Sequence, residues 1–484
     1  MGKARSLLNK STIFTFTMHF FDKSNTVAKK GYNRWKMLPV ALSIHLCIGQ
    51  IYAFSVFNLP LTRVLGISTS LQHDWKLTQL GWIFSLALFF LGASAAVFGK
   101  WVERQGPRKA MFFSAILFSS GFLISAIGTF YHQLWLLYLG SGVVGGIGLG
   151  LGYIAPVSTL IKWFPDRPGM ATGMAIMGFG GGAMIASPLS VFLMDMFSSA
   201  YSVGVGETFL CLGFIYALVM MYGVYFTRVP VNDYLPPGFD PSRQSKRKLL
   251  NVQDVDADTA IRTPQFYLLF LVLMLNVTAG IGVLGQASVM IQETFGSVDD
   301  SGIRVNAAFA AGFVGILSLF NMIGRFFWSS LSDYIGRKWT YGIFFSLGPL
   351  LFMFIPLAGE MNSVILFVAA FCIILTMYGG GFATIPAYLR DTFGTMQVGA
   401  IHGRILLAWS LAAILGPAII NYMREYQIEQ LQMPPSQVYT ITMYVMAGLL
   451  VLGFLCNALI SPVNQKYHFK KIKPVANNIE LLKN

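Results

Sequence analysis

The stretch "SLFNMIGRFFWSSLSDYIGRK", residues 318–338, sets an ionised side chain, Arg325, inside a run otherwise apolar enough for the interior of a lipid bilayer. The run ends in an acidic residue, a glycine and two cations: Asp333, Gly336, Arg337 and Lys338. A similar ending, "GKWVERQGPRK" at residues 99–109, closes an earlier apolar run. Glu103 corresponds to Asp333 and Gly106 to Gly336, both at an offset of 230. Pro156, Phe164 and Pro188 likewise correspond to Pro386, Phe393 and Pro417, at offsets of 230, 229 and 229. Five matches at nearly one offset point to a duplicated chain.

Composition says where such a chain lives. Its 484 residues are 55% hydrophobic and 11% charged, with a mean hydropathy of +0.62. A soluble domain carries roughly 25% charged residues, so a water-exposed surface is out of reach here. Apolar runs of about 20 residues, enough to cross a bilayer, recur at 37–62, 78–99, 110–129, 134–160, 169–193, 208–227, 266–291, 306–328, 339–358, 364–388, 400–423 and 437–461. The reading is an all-α polytopic membrane protein, twelve transmembrane helices in two pseudo-symmetric six-helix bundles, 37–227 and 266–461. A basic tail (1–36) precedes them, a polar linker (228–265) with "YLPPGFDPS" and "RQSKRK" joins them, and a tail (462–484) follows. The apolar piece "STIFTFTMHFF" (11–21) is too short to span, so residues 1–36 read as a loose or membrane-surface tail rather than a signal peptide.

The net charge of +14 reflects topology, and nucleic acid is not needed to explain it. With the N-terminus inside, 28 Lys and Arg fall in cytoplasmic segments and 4 (Arg63, Lys76, Arg304 and Arg424) fall outside. Both termini are therefore expected in the cytoplasm. Cys47, Cys211, Cys372 and Cys456 all lie in spans and read as small packing residues. The glycine clusters "GSGVVGGIGLGLGYIAP" (140–156), "GFGGGAMIASP" (178–188) and "YGGGFATIP" (378–386) lie within apolar spans, where small residues let helices approach closely. A nucleotide-binding loop would instead follow a strand.

Twelve spans in two equivalent halves, with a Gly-x-x-x-Glu-x-x-Gly loop after span 2 and its Asp-x-x-Gly counterpart after span 8, where Ser329 takes the place of the first glycine, resemble the major facilitator superfamily. The resemblance implies two halves that rock about a central site. Charges at these loops, Glu103, Arg104, Arg108, Asp333 and Arg337, then become candidate gating residues whose ion pairs hold one state closed; the alternative is that they only mark cytoplasmic loops.

Within the spans two ionised residues remain, Arg325 and Arg404. An arginine at a helix centre costs at least about 2.5 kcal/mol, so it faces a cavity or a partner. No span carboxylate is at hand, so an anionic substrate is the expected partner; the alternative is an arginine that reaches the cytoplasmic interface or caps neighbouring carbonyls. Ser318, Asn321 and Arg325 recur on one helical face, a polar stripe that points into a bundle. Arg404, five residues into span 11, is either a ligand or an interface charge. Span 1, "IHLCIGQIYAFSVFNLPL", adds His45, Gln50 and Tyr52; Tyr153 and Tyr378 come from spans 4 and 10. An aromatic ring with a hydroxyl suits a small carboxylate, walling off water while donating a hydrogen bond.

"IGQIYAFSVFNLPL", "GYIAP", "YGGGFATIPAYLRDTFG" and "GAIHGRILLAWS" resemble the oxalate/formate antiporter family, and "NMIGR" resembles an element of eukaryotic monocarboxylate transporters. The resemblance implies a small organic anion as cargo, a carboxylate-binding role for Arg325, and site positions at Tyr52, Gln50 and Tyr153. Two departures matter. The second cation of the oxalate exchanger, a span 11 lysine, corresponds to Trp409 here. Asn321 stands where proton-coupled monocarboxylate transporters carry an aspartate. One central cation favours a monocarboxylate such as pyruvate, lactate or formate over a dicarboxylate. Coupling, by exchange for a counter-anion or by proton symport through His45, His402 or the substrate, stays open. The alternatives are an oxalate/formate-type dicarboxylate exchanger, which would need Arg404 to swing inward, and a proton-driven exporter of drug-like compounds, disfavoured without a buried carboxylate. No catalytic constellation, metal-ligand spacing or cofactor motif points to an enzyme. The expected setting is a bacterial inner membrane, where a monomer suffices.

Overall fold

In the computed structural model, residues 20–232, 234–239, 254–296, 305, 307–434 and 437–468 are described. Most of the 1–36 tail, the "RQSKRK" run, Arg304 and the end of the C-terminal tail lie outside them. Among the described residues twelve helices are long and apolar enough to cross a membrane: α1 (Arg34–Leu61), α2 (Leu77–Gln105), α3 (Pro107–Phe130), α4 (Leu134–Trp163), α5 (Pro168–Phe197), α6 (Val205–Phe226), α7 (Pro264–Thr294), α8 (Ala307–Ile335), α9 (Arg337–Glu360), α10 (Val364–Phe393), α11 (Val398–Glu429) and α12 (Thr440–Leu459). All twelve expected spans are found, several running a turn or more longer.

Local chemistry sets many of the ends. Proline opens α3, α5 and α7 at the first helical position, where its missing N–H has no partner to lose. Gly106 and Gly336 break α2 from α3 and α8 from α9 with φ of 91° at both, a conformation that L side chains rarely adopt. The duplication seen in the sequence thus recurs as the same turn in both halves.

The first and last described residues, 20 and 468, lie on one face, here the terminal face; the other is the far face. Toward the terminal face, α2 packs on α11 and α5 on α8 through small residues. Gly99 of α2 lies against the Ala400 backbone, Gly403 of α11 against the Ala95 carbonyl, and Gly169 and Gly173 of α5 against Ser329 of α8. A Cβ at any of these would overlap its neighbour, so backbone-to-backbone contact joins the halves there.

Residues 20–36 are not a loose tail. Arg108 donates to the Phe20 and Thr227 carbonyls at 2.9 and 3.0 Å, the Ala28 N–H donates to Val229 O at 2.9 Å, and Arg34 pairs with Asp166 at 2.5 Å. The end of the linker is also docked. Its Val255 N–H donates to Phe393 O, and the Asp254 carboxylate accepts from the Thr395 and Met396 N–H groups.

Candidate functional site

Between the halves lies a cavity of about 750 Å3. Its floor is Arg325, and its walls rise past Asn321, Ser318, Tyr52 and Leu284 to Asn58 and Leu80, near helix ends on the far face. The cavity therefore opens to the far face, while the small-residue seam closes the terminal face. Ser318, Asn321 and Arg325 all line it, as the helical stripe on α8 requires.

Arg325 is 1% exposed. Its Nε donates to Asn321 Oδ1 at 2.9 Å, and its Nη1 reaches across the halves to the Ile176 carbonyl of α5 at 3.2 Å. Three rings surround the guanidinium: Tyr52 at 5.8 Å, Phe179 at 5.7 Å and Phe382 at 5.4 Å. No carboxylate comes within ion-pair distance of it among the described residues. A cation held by aromatic faces, one side-chain amide oxygen and one backbone carbonyl lacks a charge partner, which is costly in a low-dielectric interior.

Around it are polar groups in the same condition. Among the described residues the buried Tyr153 hydroxyl and Asn321 Nδ2 have no hydrogen-bond partner. The Tyr52 hydroxyl and the Trp409 indole N–H face the Tyr378 hydroxyl without completing a well-formed bond to any protein group. Buried donors are nearly always satisfied, so a cluster of orphans beside an unpaired cation marks a place for an acceptor-rich anion. Trp409 is fully buried and closes the floor, its ring 4.8 Å from Phe382, 6.1 Å from Phe179 and 6.4 Å from Tyr153. Arg325, Asn321, Tyr52, Tyr153, Tyr378 and Trp409 are thus brought together from α1, α4, α8, α10 and α11.

Three expected site residues lie elsewhere. Gln50 turns into the first half, its Oε1 accepting from Tyr216 Oη at 3.0 Å; two positions from Tyr52, it lies on the other side of α1. Arg404 points to the terminal face, donating to the Ala257 carbonyl and to Asp258 at 2.7 Å. His45 lies one ring below the cavity, packed on Tyr153 at 5.6 Å.

The candidate gating residues also divide. Arg104 is exposed and has no ion pair among the described residues. Arg108 binds carbonyls within its own half. Arg337 pairs with Asp333 at 2.5 Å and Asp391 at 3.2 Å within the second half. Asp333 and Glu103 do cross between halves, and in the same way. Asp333 accepts from the Gly169 and Met170 N–H groups at 2.9 and 2.8 Å, capping α5, whose own N-cap Arg167 supplies no side-chain cap. Glu103 accepts from the Gly399 N–H at 3.1 Å, capping α11, whose N-cap Gln397 is equally inert, and it pairs with Lys162 at 2.6 Å. A carboxylate at a helix N-terminus satisfies orphan donors and meets the positive end of the helix dipole. Asp258 of the linker adds a third crossing, between Lys100 of α2 and Arg404 of α11. Hydrogen bonds from Lys100 and Arg404 hold its carboxyl down to about 2.

Sequence reading missed Phe179 and Phe382, which complete the ring box. Each adjoins a glycine triplet, in "GFGGG" and "GGGF", the one available signal that these aromatics sit where helices approach closely. The Ile176 carbonyl has no side-chain signal at all.

Comparison with known proteins agrees with this architecture. The Major Facilitator Superfamily model matches residues 40–417 and again 277–474. The oxalate:formate antiporter of Oxalobacter formigenes is 27% identical over 388 residues, covering 79% of this chain and 83% of that one. The apicoplast pyruvate carrier 1 of Toxoplasma gondii is 23% identical over 531 residues, covering 92% and 93%. The crystal structure of the E. coli fucose:proton symporter FucP is similar with a TM-score of 0.62 at 14% identity, covering 88% of this chain and 98% of that one. Twelve helices, an internal duplication, a central cavity and a family model spanning most of the sequence lead to one conclusion: this chain belongs to the major facilitator superfamily and is a secondary transporter, not an enzyme.

Proposed function

We propose that the protein carries a small monocarboxylate, of the size of pyruvate, lactate or formate, across a bacterial inner membrane by alternating access. The observation that carries this reading is Arg325, a buried cation without a carboxylate partner, ringed by Tyr52, Phe179 and Phe382 beside orphaned donors. A monocarboxylate would accept from Arg325, Asn321 Nδ2 and the Tyr153 hydroxyl while its short apolar end met the rings. Relatives named for oxalate and formate exchange and for pyruvate carriage support the substrate class.

A dicarboxylate needs a second cation, and here Trp409 floors the site while Arg404 is engaged with Asp258. A cationic-drug exporter needs a carboxylate in the cavity, and none is among the described lining residues. The excess of Lys and Arg on the terminal face makes it cytoplasmic. The cavity then faces outward, and breaking the Asp333, Glu103 and Asp258 crossings opens the other side.

The test is uptake of labelled pyruvate, lactate, formate and oxalate into proteoliposomes preloaded with unlabelled anion. Exchange of a monocarboxylate that Arg325→Gln abolishes is expected. Transport by Arg325→Gln at the parental rate, or movement of none of the anions, would refute the reading.

A further inference from the structure

One stretch of α1 is not α-helical. Gly49–Phe57, beside the cavity, forms a 3-10 helix of 9 residues. Such helices rarely run beyond about four residues, because their hydrogen bonds are poorly aligned. A run of this length inside a span therefore has a cause, and the sequence supplies part of it. In "GQIYAFSVF" the glycine and the β-branched or aromatic Ile51, Tyr52, Phe54, Val56 and Phe57 all weaken the preference for α. Pro60, just beyond, has no N–H for the Val56 carbonyl and would crowd it in an α-helix.

Packing supplies the rest. A 3-10 helix turns about 120° per residue, so every third side chain shares a face. Tyr52, Ser55 and Asn58 all line the cavity, as that period requires, with Ile51 and Phe54 bordering it beside them. In an α-helix Asn58 would stand about 120° away from Tyr52. At the lower end Gly49 is pinned, lying against the Phe179 carbonyl and Gly182 of α5 with no room for a Cβ. At the upper end the buried Asn58 Oδ1 has no hydrogen-bond partner among the described residues.

The same stretch also carries an α-helical pattern. Gln50, Phe54, Phe57 and Leu61 recur at i, i+4, i+7 and i+11, one face of an α-helix, and all four are buried. Gln50 already meets Tyr216 of α6, and Phe54 and Phe57 lie 6.1 and 4.7 Å from Phe209 of α6. Winding into α would set all four in one line toward α6. It would leave Tyr52, Ser55 and Asn58 on no common face.

We propose that Gly49–Phe57 rewinds from 3-10 to α as the far face closes, making the upper end of α1 a lid over the bound anion; this rests on the alternating access proposed above. With Gly49 fixed, losing about 20° per residue turns Tyr52 by about 60°, Ser55 by about 120° and Asn58 by about 180°. The polar stripe thereby leaves the cavity mouth. The rise falls from about 2.0 to about 1.5 Å per residue, which draws Asn58 about 4.5 Å toward Arg325. Better-aligned hydrogen bonds favour the rewound form, and the water on the exposed Ser55 favours the open one. The change lies wholly within the first half, so rocking of two rigid halves does not contain it.

The experiment uses the full chain in lipid nanodiscs, with Cys47, Cys211, Cys372 and Cys456 replaced and nitroxide labels placed in pairs at exposed positions. Leu59→Cys marks the upper end of α1, while Phe113→Cys and Tyr222→Cys lie toward the terminal face on α3 and α6 of the same half. Tyr131→Cys with Met361→Cys spans the two halves at the far face and reports its closure. Closure is driven by pyruvate, lactate or formate, or by Asp333→Asn without any anion. Pulsed dipolar spectroscopy should then show both distances from Leu59→Cys changing, their mean shorter by about 4 Å. The distance from Phe113→Cys to Tyr131→Cys, within α3, should hold. The proposal is overturned if Tyr131→Cys and Met361→Cys draw together while both distances from Leu59→Cys stay as they were. If no condition draws that pair together, alternating access fails instead, a separate outcome.

Discussion

Asp333→Asn keeps the shape of the side chain and removes the charge that caps α5 from the opposite half. The Arg337 pair lies inside the second half and is present whichever face is open, so it drops out of the difference. The bonds to Gly169 and Met170 join the two halves, and the proposed alternating access requires them to break when the terminal face opens. An anion at a helix N-terminus is worth up to about 2 kcal/mol when partly buried, and the Asp333 side chain is 7% exposed. Asparagine still accepts one of the two N–H bonds, but as a neutral and weaker acceptor. The expected loss is about 2 kcal/mol, which shifts the balance toward the state open at the terminal face about 30-fold. Ser329 supplies the probe: it is buried in the seam against Gly169 and Gly173. With Cys47, Cys211, Cys372 and Cys456 replaced, Ser329→Cys is labelled by an impermeant maleimide only when the seam opens. Added at the terminal face, the reagent should react about 30-fold faster in Asp333→Asn. A rate within twofold of the parent, in protein that still exchanges substrate, would refute the capping argument. Glu103→Gln, which loses a single crossing bond, should raise the rate about fivefold, for about 1 kcal/mol.

Gly403→Ala puts a Cβ into the Ala95 carbonyl at the seam and should also speed Ser329→Cys labelling, whereas Gly49→Ala overlaps the Phe179 carbonyl inside the first half and should lower the detergent melting temperature instead. Trp409→Lys sets a second cation beside the Arg325 box; oxalate counterflow should appear and monocarboxylate uptake should fall at least about tenfold, a like-charge cost of more than about 1.4 kcal/mol. Asp258→Asn should speed labelling severalfold at most, because its side chain is 53% exposed and such pairs are screened. The carboxyl of Asp258 is held down to about 2, so its contribution is present above the ordinary carboxylate range and lost only as pH falls through about 2. The ratio of labelling rates between Asp258→Asn and its parent should therefore be flat from about pH 7 to about pH 5 and shrink in high salt.

What the chain's residues settled without coordinates was whatever depends on length, period and repetition. Apolar runs of bilayer length set twelve helices, and the offset between Glu103 and Asp333 exposed the duplication. The spacing of Ser318, Asn321 and Arg325 put one polar face toward the cavity, because helical period relates residues within an element. Period says nothing about which neighbour a face will meet. Gln50 and Tyr52 differ by two positions, and only helix packing turned one toward Tyr216 and the other toward Arg325. Arg404 was assigned its partner by the docked linker, a segment more than 140 residues earlier in the chain. Phe179, Phe382 and the Ile176 carbonyl entered the site because glycines let α5 and α10 come close, a distance set by two backbones at once. The reach of Glu103 and Asp333 into the opposite half follows from how the halves pack together, a property of the assembled bundle and of no single segment.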